Sequence, residues 1–244
     1  MNYQDIKLTD KVINAINDFL FIPNDGSMDS AIFQIPGNIL ALGNLISMLQ
    51  SLDFSGTERI IISGNTTPKY VKDEELLKIA IASYVANGPT YNADDITTKS
   101  EARIIFDHWP NANQFSDKIF LEEKSENTFD NFRFSEFAGL YKRTQNQELV
   151  ICCPTCVALR TKLTAKSVLP WANIKTISYP ASSEALNIHI TPSQWPSSEF
   201  GRRVIFDEIT SINNYRNQDL KLDPQTSEKL QSLLSLVGHK FEER

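Results

Sequence analysis

The sequence predicts an α/β fold in which a mostly parallel sheet is sandwiched between helices. Three observations predict it. Short apolar runs alternate with stretches of helical periodicity from about Ala31 to Tyr179. The runs lack the polar alternation of a strand with one wet face, as expected where both faces are covered. Turn-forming polar residues follow each run, and repeated strand-loop-helix units return every strand parallel to the last.

Taken in order, Val12, Ile13, Ile16, Phe19 and Leu20 recur at helical spacing behind Thr9 and Asp10, which suit a helix cap, and Pro23-Asn24-Asp25-Gly26 ends that helix. Ala31 to Ile35 reads as a strand, Pro36-Gly37-Asn38 as its loop, and Ile39 to Leu52 as a helix. Arg59 to Ile62 is the next strand, running into Ser63-Gly64-Asn65, with a helix over Asp73 to Val85. Asn87 to Thr98 is turn-rich and reads as loop, and a helix starting near Lys99 carries Ala102, Ile105 and Phe106 inward. Lys118 to Leu121 is a third strand, followed by the polar loop Glu122 to Glu126 and a helix over Asn127 to Tyr141. Glu148 to Cys152 is a fourth strand, Val157 to Val168 its helix, and Ile174 to Tyr179 a fifth strand. Prolines and serines make Ala181 to Ser198 read as loop, ahead of helices over Glu199 to Tyr215 and Ser227 to Val237.

A chain of 244 residues exceeds one ordinary domain and falls short of two. The expected organisation is an N-terminal helix and turn (1–28), a main α/β domain (29–180), and a loop with a small C-terminal helical appendage (181–244) that caps the ligand edge of the sheet. Hydrophobic residues make up 41% and charged residues 22%, so a buried core is expected. The net charge of −6 provides no basic footprint for nucleic acid or anionic membrane. No basic segment followed by an apolar core opens the chain, no run reaches membrane-spanning length, and the expected location is the cytoplasm. The three cysteines, Cys152, Cys153 and Cys156, are too closely spaced for a disulfide framework and fit a reducing compartment.

In open α/β sheets a ligand sits outside the carboxyl ends of the strands, where helix N-termini present backbone N–H groups and partial positive charge. The residues at those places are Gly37 and Asn38, Ser63 to Asn65, Glu122 to Asn131, and Cys153 to Arg160. The segment from Glu122 to Asn131 is the richest: Asn127 and Asn131 stand four apart, on one helix face able to bind a polar ligand. The plainer reading makes Ser125 or Asn127 a helix cap, with Asp130 favouring the dipole.

Ile62-Ser63-Gly64, Ser100-Glu101-Ala102, Lys118 to Glu122 with Ser125, Asn127-Thr128, Asn131 and Arg133-Phe134-Ser135, and Arg160 together resemble the YdcF/SanA/ElyC-like family, known as domain of unknown function 218. The likeness spans Ser30 to Tyr179, and Asn131-Phe132-Arg133-Phe134-Ser135 is most similar to the YdcF branch. The resemblance implies a three-layer Rossmann-like domain with Glu101, Glu122, Ser125, Asn127, Asn131 and Arg160 around one crevice. It also implies a nucleotide-like or adenosyl ligand, S-adenosylmethionine being a candidate. Asn65, Asp130 and Cys153-Pro154-Thr155-Cys156 depart from the family pattern.

Arg160 is placed to hold a phosphate or carboxylate in bidentate fashion, or to pair with an acid such as Glu122. Glu101 and Glu122 suit a general acid and base, or acceptors for ribose hydroxyls. No nucleophile or metal cluster stands beside them in the sequence, so they read as binding groups, and no reaction is assigned. Cys153 and Cys156 form a C-x-x-C between strand and helix, the thioredoxin-like arrangement that would make this a thiol-disulfide enzyme; the fourth strand is the wrong place for it. His108, His189 and His239 are scattered, and no metal site is read. Trp109, Trp171 and Trp195 read as core or hinge, with Trp195 between Pro192 and Pro196 also able to close over a ligand. No Walker loop, G-x-G-x-x-G, G-x-S-x-G or H-E-x-x-H occurs.

The expectation is therefore a YdcF-like protein holding a small anionic ligand, nucleotide-like, adenosyl or phosphorylated, through Gly37, Asn38, Ser63, Gly64, Asn65, Glu101, Ser125, Asn127, Thr128, Asn131 and Arg160. Its partner is a small molecule, with neither nucleic acid nor membrane. The alternatives are the redox enzyme and a non-enzymatic interaction module that uses the C-terminal helices.

Overall fold

A computed structural model describes residues 6–27, 32–39, 41–65, 78, 81–82, 92–144, 146–183, 187–216 and 220–237. Within it lies a five-stranded parallel sheet of order β3-β2-β1-β4-β5, built from β1 (Ile32–Pro36), β2 (Arg59–Ser63), β3 (Ile119–Glu122), β4 (Glu148–Pro154) and β5 (Asn173–Tyr179). The apolar runs become strands because alternate residues feed two separate cores. Phe33, Ile35, Ile60, Ile62, Val150 and Cys152 enter one cluster, while Ile32, Ile61, Leu149, Ile151 and Cys153 enter the other.

The helices in chain order are α1 (Asp10–Leu20), α2 (Leu42–Ser51), α3 (Glu101–His108), α4 (Thr128–Phe137), α5 (Ala158–Val168), α6 (Glu199–Arg216) and α7 (Pro224–Leu236). On one side, α4 packs on β2 and β3 and α5 on β4 and β5. The opposite side takes α2 and α3, completing the three-layer Rossmann-like arrangement expected from the sequence. Capping follows the residue types: Thr9 accepts from the Val12 N–H and Ser100 from the Arg103 N–H. Ile205, Phe206, Ile209 and Ile212 of α6 and Leu230 and Leu233 of α7 are buried in the same cluster as Phe33 and Ile60. The C-terminal helices thus share the core of the sheet.

Two segments differ from the sequence reading. The expected loop over Ala181 to Ser198 contains an antiparallel hairpin, β6 (Ala181–Ser183) with β7 (Ile188–Ile190), and a single 3-10 turn at Trp195–Ser197. Strands of three residues are too short to display a period-2 pattern. Asp95–Thr98, expected as loop, is one helical turn. The helix expected over Asp73 to Val85 lies outside the described residues except Lys78, Ile81 and Ala82, which are helical, and His239 also lies outside them.

The free edge of β5 is covered by the turn after α1. Asn24 Oδ1 accepts from the Ser178 N–H (2.8 Å) and Asp25 Oδ1 from the Thr176 N–H (2.7 Å), while the Asp25 and Gly26 amides donate to the Thr176 carbonyl. A Cβ on Gly26 would lie 3.0 Å from Ile177 and Val150, so the close approach needs glycine there.

Candidate functional site

Strand order reverses between β1 and β4, and there the loops leave the sheet toward opposite layers and open a crevice at its carboxyl edge. It encloses about 420 Å³ and is bounded by loops following the sheet strands, the β6–β7 hairpin and one face of α6.

Its floor is a close stack of two glycines and an acid. Gly37 donates its N–H to the Ser63 carbonyl at 2.5 Å, and Gly64 sits at φ +145°, a backbone region open mainly to glycine. A Cβ on Gly37 would fall 2.6 Å from Glu101 Oε2 and 2.8 Å from Glu101 Cβ. Glu101, the first residue of α3, is only 8% exposed, and its helix start is fastened to the β2 loop by the Glu101 N–H to Asn65 carbonyl and Ala102 N–H to Gly64 carbonyl bonds.

The loop after β3 satisfies its own polar groups. Ser125 Oγ donates to Asn131 Oδ1 at 2.6 Å; Asn127 caps α4 by accepting from the Asp130 N–H and donating to the Asp130 carboxylate. Beneath it lies Gln34, fully buried in the middle of β1, whose Nε2 donates to the Asn131 carbonyl (2.9 Å) and the Ser63 hydroxyl (3.2 Å), while its Oε1 accepts from the Tyr141 hydroxyl. Burial pushes the Tyr141 phenol well above its usual range, keeping it a donor. This network fixes the first turn of α4 against the central strand.

The wall opposite is α6. Glu208 accepts from Arg160 Nε at 2.6 Å and Nη2 at 2.7 Å, a bidentate pair, and Arg160 Nη1 donates to Thr128 Oγ1. Burial opposes the guanidinium charge, but the adjoining Glu208 carboxylate outweighs it and raises the Arg160 pKa above its ordinary value. The acid partner of Arg160 is thus Glu208, not the Glu122 considered from the sequence. The helices after β1 and β4 also differ from their neighbours: neither α2 nor α5 has a side-chain N-cap, whereas α3 and α4 are capped by Ser100 and Asn127. Ala41 ahead of α2, and Cys156 and Val157 in the 3-10 turn (Thr155–Val157) that leads into α5, line the crevice together with Asn38 of the β1 loop, while the Leu42 and Ala158 amides donate to the Ile39 and Thr155 carbonyls.

Of the residues singled out in the sequence, Gly37, Asn38, Gly64 and Glu101 line the floor, and Ser125, Asn127, Thr128, Asn131 and Arg160 line the side beside α4 and α5. Glu101, Asn127 and Arg160 therefore share one cleft. Ser63, Asn65 and Glu122 lie outside that lining. Ser63 is fully buried and Asn65 ties loops together by donating its N–H to the Ser125 carbonyl. Glu122 accepts from the Lys124 N–H through Oε1, and its buried Oε2 has no hydrogen-bond partner among the described residues. Cys152, Cys153 and Cys156 are free and buried, and burial raises all three thiols, Cys153 to about 12. Trp195 does not close over the crevice: it is fully buried, donates to Asn17 Oδ1 at 2.8 Å and meets Phe206 edge to face.

Sequence reasoning missed Gln34 and the α6 residues Arg203, Asp207, Glu208, Ser211 and Tyr215. Gln34 had a signal, as the lone polar residue in Ile32-Phe33-Gln34-Ile35. Arg203, Asp207 and Ser211 lie on the face of α6 away from Ile205, Ile209 and Ile212, a pattern shared with any solvated helix face, while Glu208 flanks that apolar stripe and is buried with it.

No described helix is long and apolar enough to cross a membrane. No family model and no curated protein matches the chain.

Proposed function

We propose that the crevice binds a small organic anion, phosphorylated or nucleotide-like, and that the chain is a cytoplasmic relative of the YdcF-like proteins it resembles. The observation that carries this reading is the convergence, at the one point where strand order reverses, of two helix starts without side-chain caps and the Arg160 guanidinium. Helix starts without side-chain caps and their dipoles favour negative charge, and a guanidinium adds directed donors. Glu101, Ser125 and Asn131 supply acceptors and donors for hydroxyl groups elsewhere on the ligand, an adenosyl group among them. The net charge of −6 argues against nucleic acid as the partner. This is a reading of binding, with no reaction assigned.

Thiol-disulfide chemistry finds no support, since a reactive thiol needs an accessible, low-pKa setting and Cys153 has the reverse. An interaction module built on the C-terminal helices is likewise disfavoured, because α6 and α7 commit their apolar faces to the core.

Thermal-shift titration with inorganic phosphate, nucleoside monophosphates, S-adenosylmethionine and phosphosugars tests the reading. At least one should raise Tm in proportion to RT ln(1 + [L]/Kd), and Arg160→Lys should weaken that ligand about tenfold or more by losing the planar fork. Absence of any shift at millimolar ligand would overturn it.

A further inference from the structure

The crevice changes character along α6, and that gradient defines the ligand more narrowly than charge alone. Its ionic centre is Glu208, joined to Arg160 across the gap. Toward the N-terminal end of α6 the crevice is lined by Phe200 and Val204, interleaved with Arg203 and Asp207, and, from the hairpin, by Ala181, Ile188 and Ile190 beside Ser182. β7 packs on α6, which brings the hairpin groups beside this helix. Phe200, Val204 and Ile188 are partly buried hydrophobic residues packed against the core while facing the crevice. Toward the other end Ser211 and Tyr215 line the crevice with Thr128, and Tyr215 meets Phe129 edge to face at 5.3 Å. At about 1.5 Å per residue, Val204 and Phe200 stand roughly 6 and 12 Å along the helix from Glu208.

We propose that the ligand is amphipathic: an organic anion bearing a planar or short aliphatic apolar group, seated between the β6–β7 hairpin and the first turns of α6, one to two helical turns from the Arg160–Glu208 pair. This rests on the anion-binding reading and adds to it. The apolar subsite comes from chain beyond Tyr179, outside the stretch that carries the family likeness. A bare phosphosugar leaves it unfilled, and the half-buried side chains there gain only when water is replaced by apolar surface.

Isothermal titration of the full chain with inorganic phosphate, ribose 5-phosphate, adenosine monophosphate and hexyl phosphate provides the test. Adenosine monophosphate or hexyl phosphate should bind at least about tenfold more tightly than ribose 5-phosphate, with a more negative heat-capacity change. Which of the two binds more tightly separates a planar from an aliphatic occupant. Phe200→Ala and, as a milder change, Val204→Ser should remove most of that advantage and leave ribose 5-phosphate binding as it was. Equal affinity for ribose 5-phosphate and both apolar phosphates, or an advantage that survives both substitutions, overturns the proposal while leaving the anion site standing. Failure of all four ligands overturns the anion site and this inference with it.

Discussion

The two sides of the crevice are built on different principles. The α4 side is capped by neighbours in the chain: Asn127 bonds Asp130 three residues on, and Ser125 bonds Asn131 six residues on. The α6 wall is held by Arg160 and Glu208, which are 48 residues apart. Local bonds set the α4 cap before any ligand arrives. The wall presents a charge pair whose partners face the space a ligand would enter, so its geometry depends on what else is charged nearby.

The largest effect that would sharpen this contrast comes from breaking the wall. Glu208→Ala leaves the Arg160 guanidinium, whose side chain is 16% exposed, without its counter-charge, and should lower unfolding free energy by about 3–5 kcal/mol in urea denaturation. Replacing both partners together, Arg160→Met with Glu208→Leu, should recover most of that stability but bind no anion. A double variant as unstable as the single one breaks the comparison, since the pair would then serve packing alone.

Next in size is the floor. Gly37→Ala drives a methyl group against Glu101 and to 3.0 Å from the Ser63 carbonyl, and should cost about 1–3 kcal/mol by the same measurement. Because the backbone must shift there, ligand affinity should fall with stability. The smallest effect is at the α4 cap: Asn127→Ala should cost about 1 kcal/mol and leave the Arg160–Glu208 pair intact, which amide exchange along the first turn of α4 would report.

The same division explains what the sequence disclosed. Unbroken β-branched runs such as Arg59 to Ile62 mark strands covered on both faces, and the polar residues after them lie at the sheet's carboxyl edge by the rule of the fold. A cap at Ser125 or Asn127 was legible because capping is a local bond, and Asn127 is the residue that forms it. Glu208 was not, because a carboxylate on a helix face looks the same whether it meets water or a guanidinium from a distant helix. The hairpin escaped for a related reason: Ser182 and His189 become neighbours only through pairing, with no periodic run on either side to announce it. Ser63 and Asn65 were assigned to the crevice on their position after β2, yet Ser63 serves the Gln34 network and Asn65 serves the backbone ties between loops.

The turn at Asn24 and Asp25 does for β5 what a sixth strand would do. Their side-chain oxygens meet Thr176 and Ser178 two residues apart, the repeat at which a neighbouring parallel strand would offer carbonyls, so the sheet stops growing there. Since these two residues lie ahead of β5 in the chain, a ribosome delivers the stopper before the surface it seals. Nascent β5 therefore meets its own blocking turn within the same molecule, and stray pairing with another polypeptide has an intramolecular competitor from the start.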